Sequence, residues 1–127
     1  MSAAEFKGKT GLVRLWSALG YSRDGLLAAW KNEAAFREEL LLAAVAIPLA
    51  LFLGKTGVDR ALLIGSIIVI LIVEILNSAV EAVVDKVSPE KHELAKGAKD
   101  MGSAAVLLSL INAVAVWACV LWPTGHS

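Results

Sequence analysis

The stretch "ALLIGSIIVILIVEILNSAVEAVV", residues 61–84, runs for 24 residues with no proline and no turn signal, yet its second half admits Glu74, Asn77, Ser78 and Glu81. A helix needs about 20 residues, at 1.5 Å rise each, to cross the hydrocarbon of a bilayer. Cut at Val73 the run has 13 residues and falls short; carried on to Val84 it spans, but with two carboxylates inside it. Two other apolar runs flank it in the chain, "LLLAAVAIPLALFLG" (40–54) and "MGSAAVLLSLINAVAVWACVLW" (101–122), and the latter is long enough alone. A soluble bundle of 127 residues would have to show water a polar face on each helix, and these segments have none. The 57% apolar content and mean hydropathy of +0.69 agree with lipid as the solvent.

Charge supplies the orientation. Six of the twelve basic residues precede position 40, two lie in 54–60, four in 86–99, and none follows 100. By the positive-inside rule the N-terminus and the 87–99 loop face the cytoplasm, and Trp117 and Trp122 become aromatic anchors at the far interface. The net charge of zero gives no field for nucleic acid. "MSAAEFKGKTGLVRLWSALGY" has no continuous apolar core before a small-residue cleavage site, so it does not read as a removable signal peptide. The expected fold is all-α and polytopic: one membrane-embedded domain over 1–127, with a surface helix at about 10–37 and membrane helices at about 38–54, 58–86 and 100–122. Pro48 is expected to kink the first span, and "GKTGVDR" to make a tight helical hairpin. Cys119, the single cysteine, is expected to be a buried thiol acting as a small apolar group.

From Leu12 to Phe36 the apolar residues recur largely at three- and four-residue steps, with Arg14, Arg23 and Lys31 between them. That pattern suits a helix lying in the membrane interface, or one packed on the protein; Gly20 and Gly25 are expected to break it in two.

On a helix turning about 100° per residue, Glu74, Ser78, Glu81 and Asp85 share one stripe, with Asn77 at its border. A charge at membrane depth costs several kcal/mol, so such groups face a bundle interior or a wet cavity and carry function. Two chemistries fit. Carboxylates can hold a hard divalent cation together with substrate phosphates, or a desolvated Glu can act as a general base or relay protons in a transporter. A hydrogen-bonded structural stripe is the third possibility. There is no Walker A loop, because Ala3 and Leu49 stand where its leading glycine belongs before the two "GKT" triplets. Lys96 and Lys99 by themselves read as lipid-facing charges, and His92 as a surface histidine.

Three segments, "GYSRDGLLAAWKNEAAFREE", "VEILNSAVEAVVDK" and "HELAKGAKDMGSAAV", occur in an order and spacing that resemble the bacterial integral-membrane diacylglycerol kinases, from about Thr10 to Trp122. The resemblance implies an ATP-dependent lipid kinase of the inner membrane, homotrimeric, with composite active sites between subunits on the cytoplasmic side. It would convert diacylglycerol and MgATP to phosphatidic acid in phospholipid recycling. By that resemblance Glu74 would be the general base with Asn77 beside it, and Glu33 and Glu81 would hold Mg²⁺ and the nucleotide. Arg14, Tyr21, Glu90, Lys91, His92, Lys99 and Asp100 would position ATP. Arg14, Ala18, Trp30, Glu74 and Ser103 would meet the lipid. Residue chemistry and resemblance agree on Glu74 and Glu81, whereas Glu33 comes from the resemblance alone. Gly97 stands where a basic residue is expected, and Pro89 is unusual in the loop. An undecaprenol kinase of the same family would be expected to carry Thr at Ser78.

Overall fold

A computed structural model of the chain describes residues 10–88 and 92–123. Among them are four α-helices: α1 (Gly11–Asn32), α2 (Ala34–Leu53), α3 (Gly57–Val87) and α4 (Glu93–Leu121). The chain divides into two compact units, Met1–Ala34 and Ala35–Ser127.

In the first unit α1 is continuous through Gly20 and Gly25. The expected break does not occur, because a helical glycine costs only about 1 kcal/mol and 22 residues of favourable neighbours absorb it. Its apolar stripe is bare: Leu12 is 83% exposed and Trp16 78%, with Leu15, Leu19, Leu26, Leu27 and Trp30 exposed as well. A stripe of that size is the face that lipid or another protein surface covers. The helix ends at Asn32, earlier than the expected 37. Glu33 leaves helical geometry (φ −120°, ψ 106°) while its N–H still donates to the Ala29 carbonyl.

The second unit is built around α3. Ala43 and Ala46 of α2, Ile67 and Ile70 of α3 and Ala113 of α4 form its buried cluster, with Ile47, Leu71 and Trp117 packed at the margin. Ala113 lets the backbone of α4 approach the isoleucines of α3, which is how helices associate where lipid removes the hydrophobic gradient, and Ala43 and Ala46 bring α2 to the same cluster. α2 runs unbroken through Pro48, whose ring deprives the Ala44 carbonyl of its usual donor. Leu53 ends α2, and only three residues precede α3. Gly54 is obligatory there: a Cβ would come within 2.6 Å of Arg60 Cγ and 3.0 Å of the Ala50 carbonyl oxygen. Thr56 caps α3 by accepting the Asp59 N–H at 3.0 Å, and Arg60 Nε donates to the Leu51 carbonyl at 3.2 Å. Orphan groups of both helix ends are thus satisfied within the hairpin.

α3 has 31 residues and α4 has 29, so each is about 45 Å long, well beyond the ~30 Å of hydrocarbon. Both are long and apolar enough to cross a membrane. Their apolar side chains are largely exposed, among them Leu62, Ile72, Leu76 and Val83 on α3 and Leu107, Leu108, Ile111 and Val114 on α4. A soluble core helix would hide these residues. α2 has 14 residues from Leu40 to its end at Leu53, because Arg37, Glu38 and Glu39 occupy its beginning.

Two expectations about α4 are corrected. Trp117 is not an interfacial anchor: it turns inward, and its Nε1 donates to the Leu63 carbonyl (3.2 Å) and to Ser66 Oγ (3.1 Å) on α3. An indole N–H in an apolar bundle has to find such acceptors. Cys119, expected to be buried, is exposed, since the inward face at this level is taken by Ala113 and Trp117. Replacing Trp117 with Phe keeps most of the packing and removes the interhelical donor. The unfolding midpoint in mixed micelles should fall by the equivalent of about 1 kcal/mol.

Candidate active site

The carboxylate stripe of α3 is graded in burial. Glu74 is 5% exposed, Asn77, Ser78 and Glu81 are intermediate, and Asp85 is exposed. Ser78, one turn on, donates its Oγ–H to Glu74 Oε2 at 3.3 Å. Across from it, Glu39 of α2 lies near enough to Glu74 for the two carboxyls to interact, and its Oε2 is buried with no hydrogen-bond partner among the described residues. Sequence reasoning missed Glu39. The available signal was its place as the last charge before the apolar run at Leu40, which puts it at a depth where a carboxylate needs company.

Glu74 and Glu81 are seven residues apart, about 10 Å along the axis. No single ion with ligands at about 2 Å bridges that span, so the two carboxylates cannot share one role. Among the described residues no group of three or more His, Cys, Asp or Glu is placed to hold a metal. Mg²⁺, however, ordinarily takes one or two protein carboxylates and completes its octahedron with water and substrate phosphates, so the absence of a three-ligand group does not exclude it.

The C-terminal end of α3 and the N-terminal end of α4 carry the cations. Helical structure begins at Glu93, ahead of the apolar stretch, so Lys96, Lys99 and Asp100 stand on a helix and not in a connecting loop. His92 caps it: its Nδ1 accepts the Leu94 N–H at 3.1 Å. Lys99 Nζ meets Asp85 Oδ1 of α3 at 2.6 Å, with Glu81 also within its electrostatic reach. The Asp85 hydrogen bond, followed by its charge, holds the Lys99 ammonium above the ordinary lysine value. Lys96 pairs with Asp100 one turn away at 2.7 Å.

The second unit therefore brings Glu74, Asn77, Glu81, Lys99 and Asp100 onto two adjoining helices, with Ser103 exposed on α4. Arg14, Ala18, Tyr21 and Trp30 lie on α1, and Glu33 is its C-cap, in the first unit. Glu90 and Lys91 fall outside the described residues.

The model of the family described as prokaryotic diacylglycerol kinase matches residues 20–121. A diacylglycerol kinase of Escherichia coli is 53% identical over 113 residues, covering 89% of this chain and 93% of that protein. Another, of Pseudomonas aeruginosa, is 52% identical over 121 residues, covering 95% and 98%. This chain belongs to the prokaryotic diacylglycerol kinase family. A more distant member, from Helicobacter pylori, is 46% identical over 107 residues. The resemblance carried by the three sequence segments is borne out. With it the enzyme class is decided in favour of a kinase over a proton-relay transporter or an inert bundle. Two long apolar helices agree with a membrane protein of this family.

The Asp85–Lys99 pair joins the ends of two helices on the solvent side, so its effect should be local. Asp85→Asn should lower the Lys99 titration toward the ordinary lysine value, read by ¹⁵N NMR of the lysine Nζ. Since the folded value is the raised one, the pair is intact throughout the neutral range and dissolves only as pH climbs through that value.

Proposed function

We propose that this chain transfers the γ-phosphate of MgATP to the free hydroxyl of diacylglycerol, giving phosphatidic acid and ADP. The observation that carries the reading is the buried carboxyl of Glu74 on the polar face of α3, in a chain of the diacylglycerol kinase family. A carboxylate withdrawn from water, beside the place where a lipid chain can lie, suits proton removal from an alcohol better than an exposed one does.

Glu74 takes the hydroxyl proton while the freed oxygen attacks the γ-phosphorus, and the bond to the β,γ-bridging oxygen breaks. Ser78 holds one oxygen of Glu74 and so fixes which face of the carboxyl meets the substrate. Asn77, on the same helix, completes the polar face. Lys99 places a positive charge where negative charge builds on the transferred group. It is delivered from α4 by its contact with Asp85. Glu33 and Glu81 are the ligands offered to Mg²⁺, which when bound neutralises the polyphosphate. Arg14, Tyr21, Glu90, Lys91, His92 and Asp100 orient the nucleotide, and Arg14, Ala18, Trp30 and Ser103 border the lipid.

The subunit lies in the bacterial inner membrane with α2, α3 and α4 as its three spans and α1 on the cytoplasmic surface. Three copies form a homotrimer in which one subunit's α1 residues complete a site on another. The distribution of basic residues supports the orientation. The bare apolar stripe of α1 supports its burial against lipid or a neighbouring subunit.

The deciding experiment is transfer of labelled γ-phosphate from MgATP to dioleoylglycerol or undecaprenol in mixed micelles. Labelled phosphatidic acid is the expected product. Labelled undecaprenol alone would change the substrate, and no lipid product from well-folded protein would remove the reading. Glu74→Gln should lower kcat by about a hundredfold or more while nucleotide still binds; retained turnover would exclude Glu74 as the base. For Glu33→Ala and Glu81→Ala the expected mark is a raised Mg²⁺ requirement, and normal metal titrations in both would refute the ligand assignment.

A further inference from the structure

Asn77 Oδ1 is buried and has no hydrogen-bond partner among the described residues. Buried carbonyl oxygens in an apolar setting are nearly always paired, so an orphan one marks a position held by something else. What holds it is the surface of α4. A Cβ built on Gly102 would collide with Asn77 Oδ1, and would come within 3.2 Å of Asn77 Cγ and 3.9 Å of its Cβ. The carboxamide therefore occupies the volume that any other residue at position 102 would fill.

We infer that Gly102 is a positioning residue: by lacking a side chain it lets the Asn77 carboxamide lie against α4, and so sets the polar face of α3 that carries Glu74. The inference rests on the reading of that face as the catalytic one. Three features support it. First, the colliding atoms belong to a side-chain tip and not to backbone, so an added methyl would turn the carboxamide away while the helices keep their places. Gly54 is the contrast, because there a methyl meets backbone atoms of Ala50 and Arg60 as well as Arg60 Cγ. Second, Gly97 on the same helix would meet nothing within 4 Å, so an ordinary helical glycine is not what position 102 holds. Third, Asn77 follows Glu74 by three residues, which places the two side chains as neighbours on one helix face. Rotating one amide of that face alters the polar surface the lipid hydroxyl would meet beside Glu74.

The test is a double-mutant cycle in the full chain, assayed for phosphoryl transfer to dioleoylglycerol: wild type, Gly102→Ala, Asn77→Ala and the pair. Gly102→Ala is expected to lower kcat about tenfold with KM for ATP within about twofold, since small displacements at a reacting centre are costly. In the Asn77→Ala background it should add less than about twofold, the non-additivity of residues acting through one contact. An equal loss in both backgrounds, or none in the wild-type background, overturns the inference, because Gly102 would then act through helix packing or not at all. If Asn77→Ala leaves too little activity for the cycle, the ¹⁵N–¹H side-chain amide signal of Asn77 decides: Gly102→Ala must shift it, and an unmoved signal overturns the inference. A wild type inactive on both lipids would defeat the kinase reading separately, while the amide signal would still report on Gly102.

Discussion

The close apposition of α3 and α4 is the contact on which the rest of the second unit depends. Lipid tails are as apolar as leucine, so no hydrophobic gradient pulls two such helices together, and only near backbone approach, shape and polar contacts can. The chain uses all three. Ala113 admits the isoleucines of α3, Gly102 leaves room for Asn77, and Trp117 fastens its indole N–H to Leu63 and Ser66. At the solvent end Lys99 and Asp85 close the pair. With that axis set, Ser66, Asn77 and Asp85 of α3 each meet α4, while Arg60 meets α2.

Burial along α3 then sorts its carboxylates by chemistry. Carboxylates in one stripe differ in what water they reach: Glu74 is enclosed, Glu81 partly so, and Asp85 open with a cation beside it. An enclosed carboxyl suits proton transfer, one near the surface can meet a hydrated cation, and an open one serves to steer a lysine. The ~10 Å between Glu74 and Glu81 would keep the proposed proton removal and metal binding apart. On the proposed reading, one helix carries both the acid–base group for the lipid and a ligand for the nucleotide's metal.

The helical nature of the apolar runs, the hairpin at Gly54–Thr56 and the carboxylate stripe were legible in the sequence because each depends on local spacing. The continuity of α1 was not, since whether two glycines break a helix depends on the sum of their neighbours. Nor was the start of α4 at Glu93, where a run of charges resembled a loop but His92 supplies a cap. Trp117 and Cys119 were misassigned for a common reason: hydropathy says that a residue lies at membrane depth but not which side of the helix meets lipid.

By itself, then, the sequence determined a helical membrane chain of the diacylglycerol kinase family, with carboxylates at Glu74 and Glu81 on one face. Those statements rest on periodicity, length and the order of three segments, all of which survive without contacts. Only the tertiary structure decided that Glu39 joins Glu74, that Asp85 holds Lys99, that Trp117 points inward and that Gly102 faces Asn77. Each of these joins residues separated by at least 14 positions on different helices. Which side chains meet there is set by the rotation and approach of packed helices, quantities that no local pattern encodes.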